Sequence, residues 1–303
     1  MQFDPDSVYY YTISEFGGME SLDAMPCEVL AAEYVNGYVY IVGADGWIYL
    51  AEQGEWADCQ RVGNIGTSAG ITDLAYNRQN KTLYAIGSRG IFYTVDLGTG
   101  ALTQAFTVTV TYEKAPADAS YKNLTRLAID DEGNFYSVNY GNQNNAFLFT
   151  WTLEDVKSGA LTDLTPIDDT QTGQIGYRNM YNGSLAWDNN LKKLIFASTA
   201  VRSSTAGNAD NQLVYIDPQT GKGERVNSTS AGNRDPKYGS RIFMSLTGLY
   251  VVPAGSGEQI PPSETASALT LNTGSVTLLK GSNVALAATV LPWNLSDKSV
   301  TWT

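Results

Sequence analysis

The sequence predicts an all-β fold built from repeated four-stranded units. Five times along the chain, a short apolar run is followed by a tight polar turn and a second apolar run. These pairs of runs lie at 30–42, 71–87, 124–138, 184–198 and 241–252. Repetition at a spacing of roughly 40 to 60 residues is typical of blades, which are four-stranded antiparallel sheets stacked beside one another.

The second half of each unit supports this interpretation. The second unit continues through the turn Val-Asp-Leu-Gly-Thr-Gly at 95–100, and the fourth unit has Ile-Asp-Pro-Gln-Thr-Gly in the same place, at 216–221. Because Asp and Gly favour tight turns, each of these segments is predicted to join the third and fourth strands of its unit. The outer strands of the first and third units are predicted at 47–51, 56–62, 145–152 and 161–167.

The fifth unit has only two predicted strands before the composition changes, Arg241–Ser245 and Leu249–Val252. Two further predicted strands lie at the other end of the chain, at Val8–Ile13 and Met19–Ala24. Since a closed ring of blades leaves no sheet edge exposed, we expect the two chain ends to complete one blade together. A β-sandwich with irregular strands is the alternative fold.

Two pairs of motifs carry a resemblance to known proteins. The segments LAYNRQNKTLYAI with VDLGTG, and LAWDNNLKKLIFA with IDPQTG, resemble those of β-propellers in general. Together with the five repeated units and the expected closure by the chain ends, the resemblance implies a five-bladed β-propeller over residues 1–253, closed by N-terminal strands. Because many unrelated activities occur on this fold, it names no activity.

A second resemblance covers Ala268–Thr303, which reads ALTLNTGSVTLLKGSNVALAATVLPWNLSDKSVTWT. The order of its Leu-Thr-Leu, Leu-Lys-Gly-Ser and Val-Thr-Trp segments is similar to the first half of a group 2 bacterial immunoglobulin-like domain. This implies a linker at 254–266, an incomplete β-sandwich segment at 267–303, and a natural protein that continues beyond Thr303. Such domains are spacers and adhesive modules of bacterial surface proteins and phage virions, so an extracellular or bacterial cell-surface location is expected.

Charge and composition exclude several classes of function. The net charge is -12, and residues 1–60 hold eleven Asp and Glu but no Lys or Arg. Because an acidic sector repels phosphate backbones, nucleic acid is not an expected partner. No run approaches the roughly 18 apolar residues of a membrane span, so membrane insertion is not expected either. Cys27 and Cys59 could form one disulfide or remain two free thiols.

The absence of histidine excludes Ser-His-Asp triads, Cys-His pairs and histidine zinc sites. Two-carboxylate glycosidase chemistry survives, with Asp73, Asp130, Glu132 and Asp188 as its candidate residues. Three of these lie at predicted hairpin turns, where Asp is favoured for turn geometry alone, so we expect no enzyme. The acidic turns lack the spacing of a calcium hand loop, and no metal or cofactor is predicted, with calcium the one ion left open.

Long connections indicate where a ligand could bind. In an up-and-down blade, the links from second to third strand and from blade to blade emerge on one face. Here that face has the long connections, at 111–122, 139–144, 168–182, 199–210 and 228–239. Loops on a rigid scaffold commonly carry recognition, and Tyr and Arg supply flat contact area and forked donors. The candidate ligand-binding residues are Tyr140, Asn142, Tyr177, Arg178, Tyr181, Arg202, Arg234 and Tyr238.

The sequence therefore predicts a non-catalytic recognition or adhesion module of an extracellular bacterial protein. Its expected partner is a glycan or a host or surface protein. A phage virion protein with a structural or host-attachment role is the first alternative, and a secreted carboxylate-dependent glycosidase is the second.

Overall fold

The computed structural model describes residues 9–13, 19–24, 27–52, 59–110, 123–139, 146–167, 183–201, 209–225, 247–253, 268–271, 275, 283, 288–291 and 299–301. Most of these residues lie in strands, and the helical part among them consists of two 3-10 turns at Ser88–Gly90 and Leu153–Asp155. In these ranges no helix is long and apolar enough to cross a membrane. The predicted all-β class is confirmed.

The two predicted N-terminal strands are present. Strand β1 (Tyr9–Ile13) pairs antiparallel with β2 (Met19–Ala24), with a register shift between Tyr9 and Tyr11. In the described ranges β1 and β2 pair only with each other. Their predicted place in a closing blade therefore stays a prediction.

Four sheets have the predicted propeller-like blade arrangement among the described residues, with consecutive strands as antiparallel neighbours. Blade 1 contains β3 (Val29–Val35), β4 (Tyr38–Gly43), β5 (Trp47–Glu52) and β6 (Gln60–Asn64). Blade 2 contains β7 (Asp73–Asn77), β8 (Thr82–Ile86), β9 (Ile91–Val95) and β10 (Leu102–Val110). Blade 3 contains β11 (Leu124–Ile129), β12 (Phe135–Asn139) and β13 (Leu148–Trp151). Blade 4 contains β15 (Ser184–Asp188), β16 (Lys193–Val201), β17 (Ala209–Ile216) and β18 (Gly223–Arg225).

Apolar side chains fill the space between neighbouring blades. Blades 2 and 3 share an aromatic cluster in which Phe92 stacks on Phe106 at 4.8 Å and Phe135 stacks on Trp151 at 5.6 Å between ring centroids. Each buried aromatic ring contributes on the order of 2 to 3 kcal/mol through removal of apolar surface from water. Similar clusters join blade 1 to blade 2 and blade 3 to blade 4. Face-to-face packing of sheets therefore holds the blades together.

One predicted strand belongs to a different blade. The sequence predicts 161–167 as the fourth strand of the third unit, but β14 (Ala160–Leu164) pairs in parallel with β10 of blade 2. The prediction is wrong because the apolar pattern of this strand suits either neighbour, and Leu161 and Leu164 pack against the aromatic cluster between blades 2 and 3. The chain then returns toward blade 3, where the N–H of Ile167 donates to the carbonyl of Leu148 at 3.0 Å.

The predicted fifth unit is described only in part. Arg241–Ser245 lies outside the described residues, and Leu249–Val252 is described but forms no strand, so that strand prediction is wrong. Its polar groups bind other blades instead of a sheet ladder: the N–H of Leu249 donates to Ser184 Oγ at 3.1 Å. Gly248 has a φ of 67°, and an added Cβ would lie 2.8 Å from Val29 Cγ1. Residues 247–253 thus lie between β3 and β15.

The two Asp-x-x-Thr-Gly turns have matching geometry, as predicted. Asp96 Oδ1 accepts the N–H groups of Gly98 at 3.0 Å and Thr99 at 2.8 Å. Asp217 Oδ1 likewise accepts the N–H groups of Gln219 and Thr220. The glycines that end the turns both have a φ of 67°, which residues with a Cβ rarely adopt. The repeat is therefore a repeat of hydrogen bonds as well as of residues.

Replacing Asp96 with alanine should destabilise the protein by about 1 kcal/mol, because turn N–H groups lose their acceptor. Asp96→Asn keeps Oδ1 and should lose less. Urea unfolding monitored by tryptophan fluorescence measures both variants. Equal losses for the alanine and asparagine variants would contradict the role of Oδ1 as acceptor.

Two short strands are described near the C-terminus. Strand β19 (Ala268–Leu271) pairs antiparallel with β20 (Ala288–Leu291). The linker at 254–266 lies outside the described residues. The immunoglobulin-like segment and the domain boundaries stay predictions.

Candidate functional site

The eight candidate ligand-binding residues lie outside the described residues: Tyr140, Asn142, Tyr177, Arg178, Tyr181, Arg202, Arg234 and Tyr238. The strands that flank most of them are described, however. The positions of those strand ends show where the connections begin and finish.

The innermost strands of blades 2, 3 and 4 start close together. The carboxylate of Asp73, at the start of β7, accepts the N–H of Leu127 at 3.1 Å and the N–H of Leu185 at 2.8 Å. The second strand of blade 3 ends there too, because Asn139 is opposite Leu124, whereas β16 of blade 4 passes this level at Ala197, opposite Ser184, and continues to Val201. We call this end of the blades the loop face. The loop face carries the described ends of four long connections, which are those around 111–122, 140–145, 168–182 and 202–208.

Below the loop face, polar side chains form a buried cluster on the innermost strands. This channel cluster consists of Glu33, Asp73, Arg126 and Ser184, all of them buried. Asp73 also accepts hydrogen bonds from Ser184 Oγ at 2.8 Å and from the N–H of Leu74 at 3.3 Å. Its single carboxylate therefore joins blades 2, 3 and 4, and Ser184 extends the network to Leu249.

The position of Asp73 has a physical reason. The innermost strand of a blade has no neighbouring strand on one edge, so N–H groups along that edge need other acceptors. A carboxylate can accept about four hydrogen bonds, which is the number that Asp73 receives. Asp73 is also one of the candidate acids for two-carboxylate chemistry. The structure instead uses its carboxylate as an acceptor for backbone groups of three blades.

Arg126 and Asp73 form the charged part of the channel cluster. Arg126 Nη1 donates to the carbonyl of Thr125 at 2.8 Å and to that of Thr72 at 3.3 Å. Burial lowers the pKa of Arg126, and the Asp73 charge opposes that shift. Burial raises the pKa of Asp73 to about 7, although Arg126 and the hydrogen-bond donors favour its charged form.

Glu33 is a second buried acid, on the innermost strand of blade 1. Its Oε1 accepts the N–H of Tyr34 at 2.8 Å. Burial raises the pKa of Glu33 to about 8, against the effects of Arg78 and of the Tyr34 and Tyr76 N–H groups. The charge of Asp73 raises it further. Glu33 is not among the acids predicted from sequence, and its one sequence signal is that it is a single acid inside the apolar run Leu-Ala-Ala-Glu-Tyr-Val.

The four candidate acids for two-carboxylate chemistry are not brought together. Asp73 lies at the loop-face end of β7, whereas Asp130 follows the opposite end of β11 and Asp188 is the last residue of β15. Asp130 Oδ1 accepts the N–H groups of Glu132 and Asn134, and Asp188 Oδ1 accepts those of Asn190 and Leu191. These acids close hairpin turns, as their sequence context suggested.

Two observations in the described ranges bear on metal and thiol chemistry. No group of three or more Asp, Glu or Cys side chains is placed to hold a metal ion there. Cys27 and Cys59 are not joined by a disulfide, and both pack against the apolar side of blade 1 that carries Tyr49 and Ala51.

No protein family model and no curated protein matches the sequence. Among solved structures, the chain is similar to a structural genomics protein of unknown function from Bacteroides thetaiotaomicron VPI-5482, with a TM-score of 0.41 and 13% identity over 67% of this chain and 44% of that chain. It is similar to TolB from Acinetobacter baumannii, with a TM-score of 0.40 and 13% identity over 73% of this chain and 51% of that chain. It is also similar to a putative TolB from Agrobacterium tumefaciens, with a TM-score of 0.38 and 13% identity over 69% of this chain and 65% of that chain. The chain thus covers less than two thirds of each of these proteins.

Proposed function

We propose that the protein is a non-catalytic recognition module that binds a glycan or a protein at the loop face. The observation that carries the proposal is the common position of the strand ends around Asp73. The longest connections of blades 3 and 4 start and finish there, and they hold most of the candidate Tyr, Arg and Asn residues. Recognition by loops on a rigid β scaffold is a common arrangement.

The positions and hydrogen bonds of the candidate acids favour a binding function over a catalytic one. A glycosidase needs two carboxyl groups about 5 to 10 Å apart and open to the substrate. Asp73 is fully buried, and Asp130 and Asp188 are each occupied by turn N–H groups. Hydrolysis of a panel of chromogenic glycosides, abolished by Asp73→Asn in a variant that remains folded, would contradict this part of the proposal.

We also propose that a fifth blade closes the ring between blades 4 and 1. The side of blade 1 that faces away from blade 2 is buried, including Val39, Ile41 and Ala51. Residues 247–253 form no strand, but they lie between β3 and β15, which is the position of the innermost strand in such a blade. Burial of this apolar side supports a covering element, for which β1 and β2 are the candidates.

An extracellular or cell-surface location is the third part of the proposal. It is supported by the resemblance of 267–303 to bacterial immunoglobulin-like domains. Detection of the protein on intact cells by a specific antibody, and its loss on surface proteolysis, would test this location directly.

Substituting Tyr177 and Arg178 with alanine should weaken ligand binding at least about tenfold, since Tyr and Arg dominate many recognition surfaces. A glycan array, with and without a calcium chelator, identifies the ligand, and calorimetry then measures the loss. The matched control replaces Gln219 and Lys222, two exposed residues in the β17–β18 turn at the other end of blade 4. Equal binding by the Tyr177 and Arg178 variant and the control would remove this part of the loop face from the site.

A further inference from the structure

An arginine on the outer part of blade 1 is held between two aromatic rings. The guanidinium carbon of Arg61, on β6, lies 5.1 Å from the ring centroid of Trp47 and 5.6 Å from that of Tyr49. Arg61 Nε donates to Tyr49 Oη at 3.2 Å, and Nη2 donates to Asp45 Oδ2 at 3.2 Å. Tyr49 Oη in turn donates to the same Asp45 oxygen at 2.6 Å. The guanidinium therefore has one preferred position.

This fixed guanidinium is still accessible. The Arg61 side chain is 55% exposed, and Trp47 is half-buried. The hydrogen bonds of Arg61 are made by Nε and Nη2, and Nη1 has no hydrogen-bond partner among the described residues. A guanidinium presents its donors as a planar fork that matches a carboxylate. One edge of that fork is thus available to a ligand.

The surrounding charge limits what that ligand can be. Arg61 is the one basic residue among residues 1–77, and residues 1–60 contain eleven acids. A doubly charged phosphate or sulfate would be repelled about twice as strongly by these acids as a singly charged group. Among anions that could pair with Arg61, a single carboxylate is therefore repelled least.

We propose that Trp47, Tyr49 and Arg61 form an anchor for an Asp or Glu side chain of a protein partner. Trp and Arg are among the residue types that dominate the energetics of protein interfaces, and the buried Tyr49 positions the guanidinium. The two rings and Asp45 hold the arginine before binding, so little side-chain entropy is lost when a carboxylate pairs with it. The anchor lies beside the β4–β5 turn of blade 1, and it differs from the proposed loop-face site because none of its residues belongs to the long connections of blades 3 and 4.

Nuclear magnetic resonance of the isotope-labelled full chain tests the anchor directly. The probe is the blocked tripeptide Gly-Glu-Gly, with blocked Gly-Gln-Gly as the neutral control at equal ionic strength. At about 100 mM peptide, a concentration suited to a weak single pair, we expect the Arg61 Nε–H and Trp47 indole N–H signals to move at least about fivefold more with the Glu peptide. Arg61→Lys keeps the charge but loses the fork, and it should reduce the Trp47 shift to the level of the Gln peptide.

The matched control is Arg89→Lys, which changes an exposed arginine in the 3-10 turn of blade 2 and should leave the Trp47 shift unchanged. Equal shifts with the Glu and Gln peptides would overturn the proposal. A Trp47 shift with the Glu peptide that is unchanged in Arg61→Lys would also overturn the proposal, because a positive charge without the fork would then explain the shift. Methyl glucuronide is the third probe, and stronger binding of this acidic sugar than of the Glu peptide would show that the anchor serves a glycan and not a protein.

Discussion

Replacing Asp73 with alanine is expected to lower the free energy of unfolding by about 3 kcal/mol, because several buried donors lose their shared acceptor and each such donor left unsatisfied costs roughly 1 to 3 kcal/mol. The change leaves the Arg126 charge buried without its carboxylate. It also removes the acceptor for the N–H groups of Leu127 and Leu185 and for the Ser184 hydroxyl. Because those groups belong to blades 3 and 4, the loss affects contacts among three blades at once.

Chemical unfolding of Asp73→Ala and Asp73→Asn gives the measurement and its control. Asparagine keeps one acceptor oxygen but not the charge, so it should lose less stability than alanine. Alanine at Asp217, an exposed turn position in blade 4, shows the size of a local effect. A loss from Asp73→Ala no larger than that from Asp217→Ala would mean that the channel cluster contributes little to stability.

Thermal stability is expected to fall as the pH rises from about 5 to about 8, and Glu33→Gln should remove much of that fall. Burial raises the pKa of Glu33 from 4.5 to about 8. Between these values the folded protein keeps a proton that the unfolded chain has released. The free energy of unfolding then decreases by up to about 1.4 kcal/mol per pH unit. It stops decreasing once Glu33 is ionised in the folded protein as well as in the unfolded chain.

Among the described residues, the two other acids with shifted pKa values do not reverse this trend in the same pH range. The raised pKa of Asp73, about 7, acts in the same direction from pH 3.8 upward. For Asp131, burial alone would raise the pKa, but hydrogen bonds from Lys192, Trp187 and Asn189 lower it overall. Ionised Asp131 therefore stabilises the folded protein, and this stabilisation is lost only as the pH falls below the ordinary pKa of an aspartate. It does not change stability between pH 5 and 8.

Melting temperatures measured at half-unit steps from pH 4.5 to pH 8.5 test the role of Glu33. Glu28→Gln is the matched control, since Glu28 is an exposed acid close by in sequence. It should follow the wild-type curve. If Glu33→Gln also follows that curve, the buried carboxyl of Glu33 does not keep its proton in the folded state.

Features that depend on neighbouring residues in sequence were predictable. The turn at Asp96 is made by hydrogen bonds to residues two and three positions later, so the local sequence contains everything that it needs. The paired runs and most strands are likewise local patterns of apolar residues. These features were sufficient to predict an all-β fold with stacked blades.

Features that depend on distant residues were not predictable in the same way. Asp73 binds groups that are 54 and 112 positions away in sequence, so its role follows from how the blades are arranged. Strand β14 has an apolar pattern that would suit blade 3 or blade 2, and packing between the blades decides the outcome. Trp47, Tyr49 and Arg61 are spread over two strands, and their contacts depend on the register of β5 and β6. The long-loop candidates, including Tyr177 and Arg178, stay predictions from sequence.

The parallel pairing of β14 with β10 has a consequence for folding. In a chain of independent repeats, each unit can form when its own residues are available. Here the last strand of the blade 2 sheet follows β11, β12 and β13 in sequence. During synthesis, blade 2 cannot be completed until nearly all of blade 3 has been made, and the two should form and open as one cooperative unit. Amide hydrogens of β10 and β12 should therefore exchange with solvent at similar rates, although the two strands belong to different blades.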